Sequence, residues 1–178
     1  MGERRTSSSQ RLLHRVGRVR VTLGFVTAGV AFWFASPSWT SLGAGAGIAS
    51  VGEALRIWAA GHIRKGREVT ASGPYRLIRH PLYLGSFVMG LGFVVAAANM
   101  VVATVVIGYL VIMLGVAVTL EEATLRDQFG ADYDRYSRGK LDPVDRRFSL
   151  SLARRNGEYR TLTGFAATLG VLGLKIWL

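Results

Sequence analysis

Three stretches of the chain lack charged side chains, and these gaps set the expected architecture. No Asp, Glu, Lys or Arg occurs from Val21 to Gly52, from Leu84 to Leu120, or from Thr161 to Leu174. A helix crossing the hydrocarbon of a bilayer needs roughly 20 apolar residues. The first run is interrupted by Ser36-Pro37-Ser38. Proline inside a helix costs about 3 kcal/mol, so a turn here separates two helices, about 21–35 and 39–60. The second run holds 37 residues. As a single helix it would extend ~55 Å against ~30 Å of hydrocarbon. It therefore predicts a hairpin turning at Asn99, with helices about 83–98 and 100–120. A last helix is expected over about 161–177. The fold class is thus all-α: a polytopic integral membrane protein of about five transmembrane helices.

Charge gives this arrangement a direction. The chain carries 22 Lys+Arg against 11 Asp+Glu, a net +11. Six arginines fall in residues 1–20, five cations (Arg64, Lys65, Arg67, Arg76 and Arg79) in 61–82, and nine in 121–160. The turns at Pro37 and Asn99 hold none. All three basic segments lie on one side of the expected bundle. The positive-inside rule puts that side, with the N-terminus, in the cytoplasm. Membrane lipid headgroups, rather than nucleic acid, are the expected counter-charge. Residues 1–20 form a basic cytoplasmic segment and 21–178 a single transmembrane domain. No removable targeting segment is expected, the first apolar run being retained as a span. An Ala-, Gly-, Val- and Arg-rich composition suggests a bacterial plasma membrane. With no cysteine in the chain, disulfides and thiol catalysis are excluded. The Gly43–Gly47 stretch "GAGAG" follows no strand, so it reads as a helix-packing face rather than a nucleotide loop.

Three polar groups converge on the cytoplasmic edge. Glu53 and Arg56 are three apart on the second helix, on one face, and can pair. The stretch "GPYRLIRHPLYLG" (73–85) places a turn at Gly73-Pro74-Tyr75 and starts the third helix at His80-Pro81, where proline's missing N–H costs nothing. The free amides of that helix start, with Arg76, Arg79 and His80, would attract an anionic group. Tyr75 and Tyr83 add aromatic faces. In "LEEATLRDQFGADYDRY" (120–136) the Glu122–Arg126 spacing suits an intrahelical pair, Gly130 ends or kinks the helix, and Tyr133 and Tyr136 share the next turn. A basic helix start, aromatic faces and a carboxylate suit a nucleoside-type ligand with an anionic end.

At these residues the chain resembles the isoprenylcysteine carboxyl methyltransferase superfamily of integral membrane methyltransferases, which is related to phospholipid methyltransferases. The pattern G-x-Y-x-x-x-R-H-P-x-Y-x-G is met by Gly73, Tyr75, Arg79, His80, Pro81, Tyr83 and Gly85. A second pattern, E-E-x-x-L-x-x-x-F-G-x-x-Y-x-x-Y, is met by Glu121, Glu122, Leu125, Phe129, Gly130, Tyr133 and Tyr136. The resemblance covers roughly residues 50–140. It implies S-adenosyl-L-methionine as cofactor, contacted by Val69, Thr70, Tyr75, His80, Pro81, Leu82, Tyr83 and Glu122. It implies Arg79, His80 and Glu122 as the catalytic group, a lipophilic or small methyl acceptor, and no metal. Prenylcysteine-type members carry an arginine four residues before the second Glu. Here that position is Val118, beside Ala117. Glu53 and Arg56 are the acceptor-side candidates in its place. The C-terminal part of the second pattern is also altered, to "LDPVDRRF". Two rivals remain: a nicotinamide-dependent sterol or steroid reductase, which shares the Arg-His-Pro-x-Tyr segment but carries an acidic residue where this chain has Ser86, and a non-enzymatic membrane assembly protein.

Overall fold

The computed structural model describes residues 22–142 and 144–178. The basic N-terminal segment expected over 1–20 lies outside the described residues. Those described form seven α-helices and a 3-10 turn, with no strand among them. The helices are α1 (Thr22–Phe34), α2 (Trp39–Ala60), α3 (Pro81–Ala97), α4 (Met100–Phe129), α5 (Ala131–Ser137), α6 (Leu150–Arg155) and α7 (Glu158–Lys175). The 3-10 turn is Gly73–Arg76.

Local chemistry fixes the ends. At Pro37-Ser38 the chain turns into α2 through a reciprocal cap. The Ser41 amide donates to Ser38 Oγ at 3.1 Å and the Ser38 amide to Ser41 Oγ at 2.9 Å, satisfying donors that a helix start leaves orphaned. The α3–α4 hairpin turns at Ala98, in the left-handed region with φ 48°. Asn99 then caps α4, its side-chain oxygen accepting from the Val101 amide at 2.9 Å. The expected third helix begins at Pro81 instead of 83, as a proline in the first turn favours. The fourth continues past its apolar run to Phe129, where Gly130 ends it with φ 48°. The last helix starts earlier than expected, because Gly157 at φ 84° separates it from α6.

The scaffold's central contact is between α2 and α3, whose backbones touch. A Cβ on Gly45 would lie 2.4 Å from the Gly92 carbonyl oxygen, and one on Gly52 would lie 2.4 Å from the Met89 amide nitrogen. From the other side, a Cβ on Gly92 would lie 2.4 Å from the Ala49 amide. Small residues at such spacing let helices approach closely where water supplies no driving force. Within "GAGAG" only Gly45 serves this contact, since Gly43 and Gly47 face open space.

Among the described residues, α4 is the one helix long and apolar enough to cross a membrane by length and composition. The apolar helices α1 and α3 are shorter. Outward faces carry Phe25, Trp33, Trp39, Met100, Leu174 and Trp177, all exposed. An apolar exterior of this extent marks a surface made for lipid or for another apolar partner.

After α2 the chain runs through residues 61–72, and the segment before α6 straps this loop down. The Val144 amide donates to the Ala71 carbonyl at 3.2 Å and the Ser149 amide to the Gly61 carbonyl at 3.1 Å. Arg146 donates to the His62 carbonyl at 2.9 Å and pairs with the Glu68 carboxylate. Asn156 Nδ2 donates to the Ala60 and Ile63 carbonyls at 2.8 and 3.0 Å.

Two outcomes follow from this packing. Gly52→Ala should lower the thermal midpoint of the detergent-solubilised protein by roughly 2–10 °C, because the new methyl meets backbone that has nowhere to move. Gly43→Ala, in open space, should leave it unchanged or slightly raised. Equal midpoints for the two variants would contradict the close approach. Arg146→Ala should raise amide hydrogen exchange across 61–72 by about tenfold, the equivalent of one or two lost hydrogen bonds, and unchanged protection there would show that the strap does not hold the loop.

Candidate functional site

The strapped loop delivers the Gly73–Arg76 turn beneath α2. Gly73 has φ 55°, and a Cβ there would meet the His62 ring at 2.6 Å, so glycine is required twice over. The turn buries Tyr75. Its carbonyl accepts a hydrogen bond from the Tyr136 hydroxyl at 2.8 Å. Gly130 allows this meeting by redirecting the chain, so that α5 packs back and Tyr133 becomes one of the largest fully buried side chains.

His80 stands at the N-cap of α3, at the centre of a charged cluster. Its Nε2 lies 3.0 Å from Glu122 Oε1, and its Nδ1 lies 3.9 Å from Glu121 Oε2. Arg79 Nη1 approaches the same Glu122 oxygen at 3.7 Å. The Tyr83 ring lies beside the imidazole, centroids 5.9 Å apart and planes tilted by 30°. The amides of Tyr83 and Leu84 already donate to the His80 carbonyl. The helix start therefore has fewer free donors than the sequence suggests, and the side chains of Arg79 and His80 supply most of the positive character.

Titration follows from these contacts. Glu122 stands on α4 beyond the apolar run. Its hydrogen bond with His80, then the charges of His80 and Arg79, hold its carboxyl below the usual range against the opposing effect of burial. The stability this contributes is present above the ordinary carboxyl pKa and is lost only as pH falls through the lowered value. Burial pushes the Tyr75 and Tyr133 phenols up, the charge of Glu122 adding to the rise at Tyr133. Burial, then Tyr133, pushes Tyr136 up to about 12. All three tyrosines are neutral hydrogen-bonding groups at physiological pH.

Two cavities meet at this cluster, the first mainly polar in its lining and the second mainly apolar. The first, of about 250 Å³, is lined by Pro81, Leu82 and Tyr83 and by Arg56, Ser86 and Glu158. The second, of about 240 Å³, is lined by Val69, Thr70, Tyr133 and Tyr136. Lys65, Tyr75, Arg79, His80 and Glu121 are walls of both. The sequence-predicted residues thus come together, divided between two adjoining chambers. Glu122 is on neither wall; it sits behind, bonded to His80 and Arg79. The carboxylate facing both chambers is that of Glu121. The expected Glu122–Arg126 pair does not form. Arg126 instead meets Asp134 at 3.2 Å across the Gly130 turn, which frees Glu122 for His80.

Of the two residues expected on the acceptor side, Glu53 is buried. Both its carboxylate oxygens lack a hydrogen-bond partner, and one lies 3.9 Å from Arg56 Nε. The main partner of Arg56 is Glu158, at 2.7 Å. Sequence reasoning missed Glu158, and with it Asn156 and Thr161, and named Ser86 only as a departure from the reductase pattern. Glu158, Asn156 and Thr161 lie far along the chain and carry no local spacing signal. A third cavity, apolar and of about 480 Å³, lies between α1, α3, α4 and α7. Ser86 lines both it and the 250 Å³ chamber.

The residues present fit an absent polar ligand. The Tyr75 hydroxyl, on the common wall, is buried without a hydrogen-bond partner in the protein. Such a group is costly unless something satisfies it. A ligand with hydroxyls or ring nitrogens would do so, and Arg79 and Lys65 would meet an anionic end.

Comparison with known proteins gives the architecture a family. The phospholipid methyltransferase profile matches residues 19–132. The chain is 33% identical over 135 residues to the cobalt-zinc-cadmium resistance protein CzcN of Cupriavidus metallidurans, a match covering 70% of this chain and 61% of that protein. It is 28% identical over 135 residues to the nickel-cobalt-cadmium resistance protein NccN of Alcaligenes xylosoxydans xylosoxydans, covering 70% of this chain and 62% of that protein. The chain therefore spans about three-fifths of the length of these curated relatives. No solved structure matches it. The profile takes in more than half the chain, including α1 to α4 and the whole His80 cluster, and the chain belongs to the phospholipid methyltransferase family, within the group of membrane methyltransferases like isoprenylcysteine carboxyl methyltransferase.

Proposed function

We propose that this protein transfers a methyl group from S-adenosyl-L-methionine to a lipophilic acceptor at the cytoplasmic face of a bacterial plasma membrane. The carrying observation is the pair of adjoining chambers sharing the Tyr75, Arg79 and His80 wall, one of which has Ser86 in common with a larger apolar chamber. In this reading α1, α2, α3, the apolar part of α4 and α7 are the five spans, and the basic loops face inward.

The cofactor would occupy the chamber bounded by Val69, Thr70 and Tyr75, and would supply a methyl group on a sulfonium, an already activated leaving group. The protein's part is positioning and water exclusion. Arg79 and Lys65 supply positive charge for a carboxylate. Glu122 fixes the His80 imidazole, with Nε2–H donating to the carboxylate, and so holds the wall between the chambers. The Tyr75 hydroxyl offers its unused hydrogen bond. The faces of Tyr83 and Tyr133 favour a cation or an aromatic ring. Where the acceptor's nucleophile carries a proton, Glu121 is the carboxylate on both walls that can receive it. The hydrocarbon of the acceptor would lie in the apolar chamber, which places its polar end at Ser86 and Arg56.

The relatives' names speak of metal resistance. They favour a second reading, in which the chain is a non-enzymatic accessory of a resistance system. Cofactor binding separates the two.

Calorimetric titration of S-adenosylmethionine into the purified protein should give saturable binding, weakened at least ~10-fold in both Glu122→Ala and Tyr83→Ala. Unchanged affinity in both variants would overturn the site. No binding to folded wild type, followed by a positive nicotinamide titration, would support the reductase alternative. Filling the apolar chamber with Ala167→Trp should leave cofactor affinity intact while lowering transfer of labelled methyl into solvent-extractable lipid by at least ~10-fold. Full lipid labelling by this variant would show that the acceptor's chain lies elsewhere.

A further inference from the structure

Arg56 is already occupied, and that occupation bears on what the site will accept. Its guanidinium is the least exposed cation lining the acceptor chamber, and it bonds Ser86, which also lines the apolar one. A guanidinium has five N–H donors in a fixed fork, suited to gripping a carboxylate or phosphate with two parallel bonds. Here the fork is spent on the protein. Nε donates to Glu158 Oε1 at 2.7 Å, and Nη2 to Thr161 Oγ1 at 3.1 Å. Nη1 donates to the Leu82 carbonyl at 3.3 Å and to Ser86 Oγ. Four of the five N–H bonds are thus directed inward.

We infer that the Glu158 carboxylate is a built-in occupant of Arg56 that makes the Arg56 end of the acceptor chamber, away from the shared Lys65 and Arg79 wall, reject substrates with an anionic group beside the nucleophile. The inference rests on the methyl-transfer reading and deepens it by naming what the acceptor end excludes. An incoming carboxylate or phosphate could engage Arg56 only by displacing Glu158. That carboxylate is buried and would be left unpaired, among the more costly changes a protein interior can undergo. The Glu53 carboxyl, also buried and without a hydrogen-bonding partner, stands 3.9 Å from the same guanidinium. An anionic acceptor would thus enter a site where two carboxyl groups already crowd a single arginine. A neutral group meets no such conflict. The Thr161 hydroxyl, which accepts from Arg56, still has its proton to donate, and the Asn156 amide oxygen can still accept, both on the chamber wall.

Glu158 is a specificity-determining residue in this account, and its charge is what matters. Glu158→Gln keeps the shape and an oxygen able to accept from Arg56 Nε, but removes the competing charge. The fork then becomes available to an anion.

The test compares two water-soluble probes of equal chain length, hexan-1-ol and hexanoate, binding to the full chain in detergent by calorimetry. Wild type should bind hexanoate at least ~10-fold more weakly than hexan-1-ol. In Glu158→Gln that ratio should fall by at least ~10-fold through tighter hexanoate binding, and adding Arg56→Gln should abolish the gain. Hexanoate binding to wild type as tightly as the alcohol would overturn the inference, and that comparison needs no variant to fold. So would an unchanged ratio in a folded Glu158→Gln protein. S-adenosylmethionine titration of the same wild-type sample reports on the methyl-transfer reading separately. If the cofactor binds but the probe ratio is unfavourable, only the selectivity falls. If the probe ratio is as expected but the cofactor does not bind, the methyl-transfer reading falls.

Discussion

The backbones of α2 and α3 touch, and the polar site depends on that contact. Glycines at 45, 52, 85 and 92 leave only backbone at the points where the two helices come closest. The consequence reaches beyond stability. Gly85 closes the first sequence pattern, and a Cβ there would lie 2.6 Å from Arg56 Cγ. The missing methyl lets the arginine of one helix lie across the start of the next. Arg56 then bonds the Leu82 carbonyl and Ser86 of α3, and Glu158 at the start of α7 closes over it. A packing device of membrane helices thereby becomes part of the wall of the chamber lined by Arg56, Ser86 and Glu158.

Charge is arranged in two separate groups. Glu122 is shared by His80 and Arg79, while Arg56 is taken by Glu158. Each group carries its own carboxylate, so neither draws on the other. Glu121 lies between them on both chamber walls. Partly buried ionic contacts of this kind contribute less to net stability than to fixing which side chain faces which chamber. The strap formed by Arg146 and Asn156 serves the same end. It gives the 61–72 loop hydrogen bonds that no regular element supplies, and so holds Val69, Thr70 and Tyr75 in place.

Much of this was legible in the sequence, because much of it is local. The charge-free runs marked the helices, Ser36-Pro37-Ser38 and Asn99 marked the turns, and "GPYRLIRHPLYLG" marked a bend followed by a helix start. His80 and Tyr75 were identified from that pattern alone. Long-range pairing was not legible. Nothing near Glu158 shows that it closes over Arg56, 102 positions away. Glu122 and Arg126 had the spacing of a helical pair, but Gly130 folds α5 back and gives Arg126 to Asp134. Glu122 is then left facing an imidazole from another helix. Of "GAGAG", the sequence offered a packing face, and geometry narrowed it to Gly45. Local spacing encodes what a helix can do, while tertiary placement decides which of those options is used.

The central claim is that a methyl-donor nucleoside lies against the wall made by Tyr75, Arg79 and His80. Ultraviolet crosslinking of labelled S-adenosylmethionine to the purified chain, followed by mass-spectrometric mapping of the modified peptide, tests it most directly. The account predicts that the label falls within residues 63–83 or 121–136, the two segments that build the shared wall and its flanking chamber. Saturable label confined to the apolar faces of α1 or α7, or no light-dependent label in a folded protein, would contradict it.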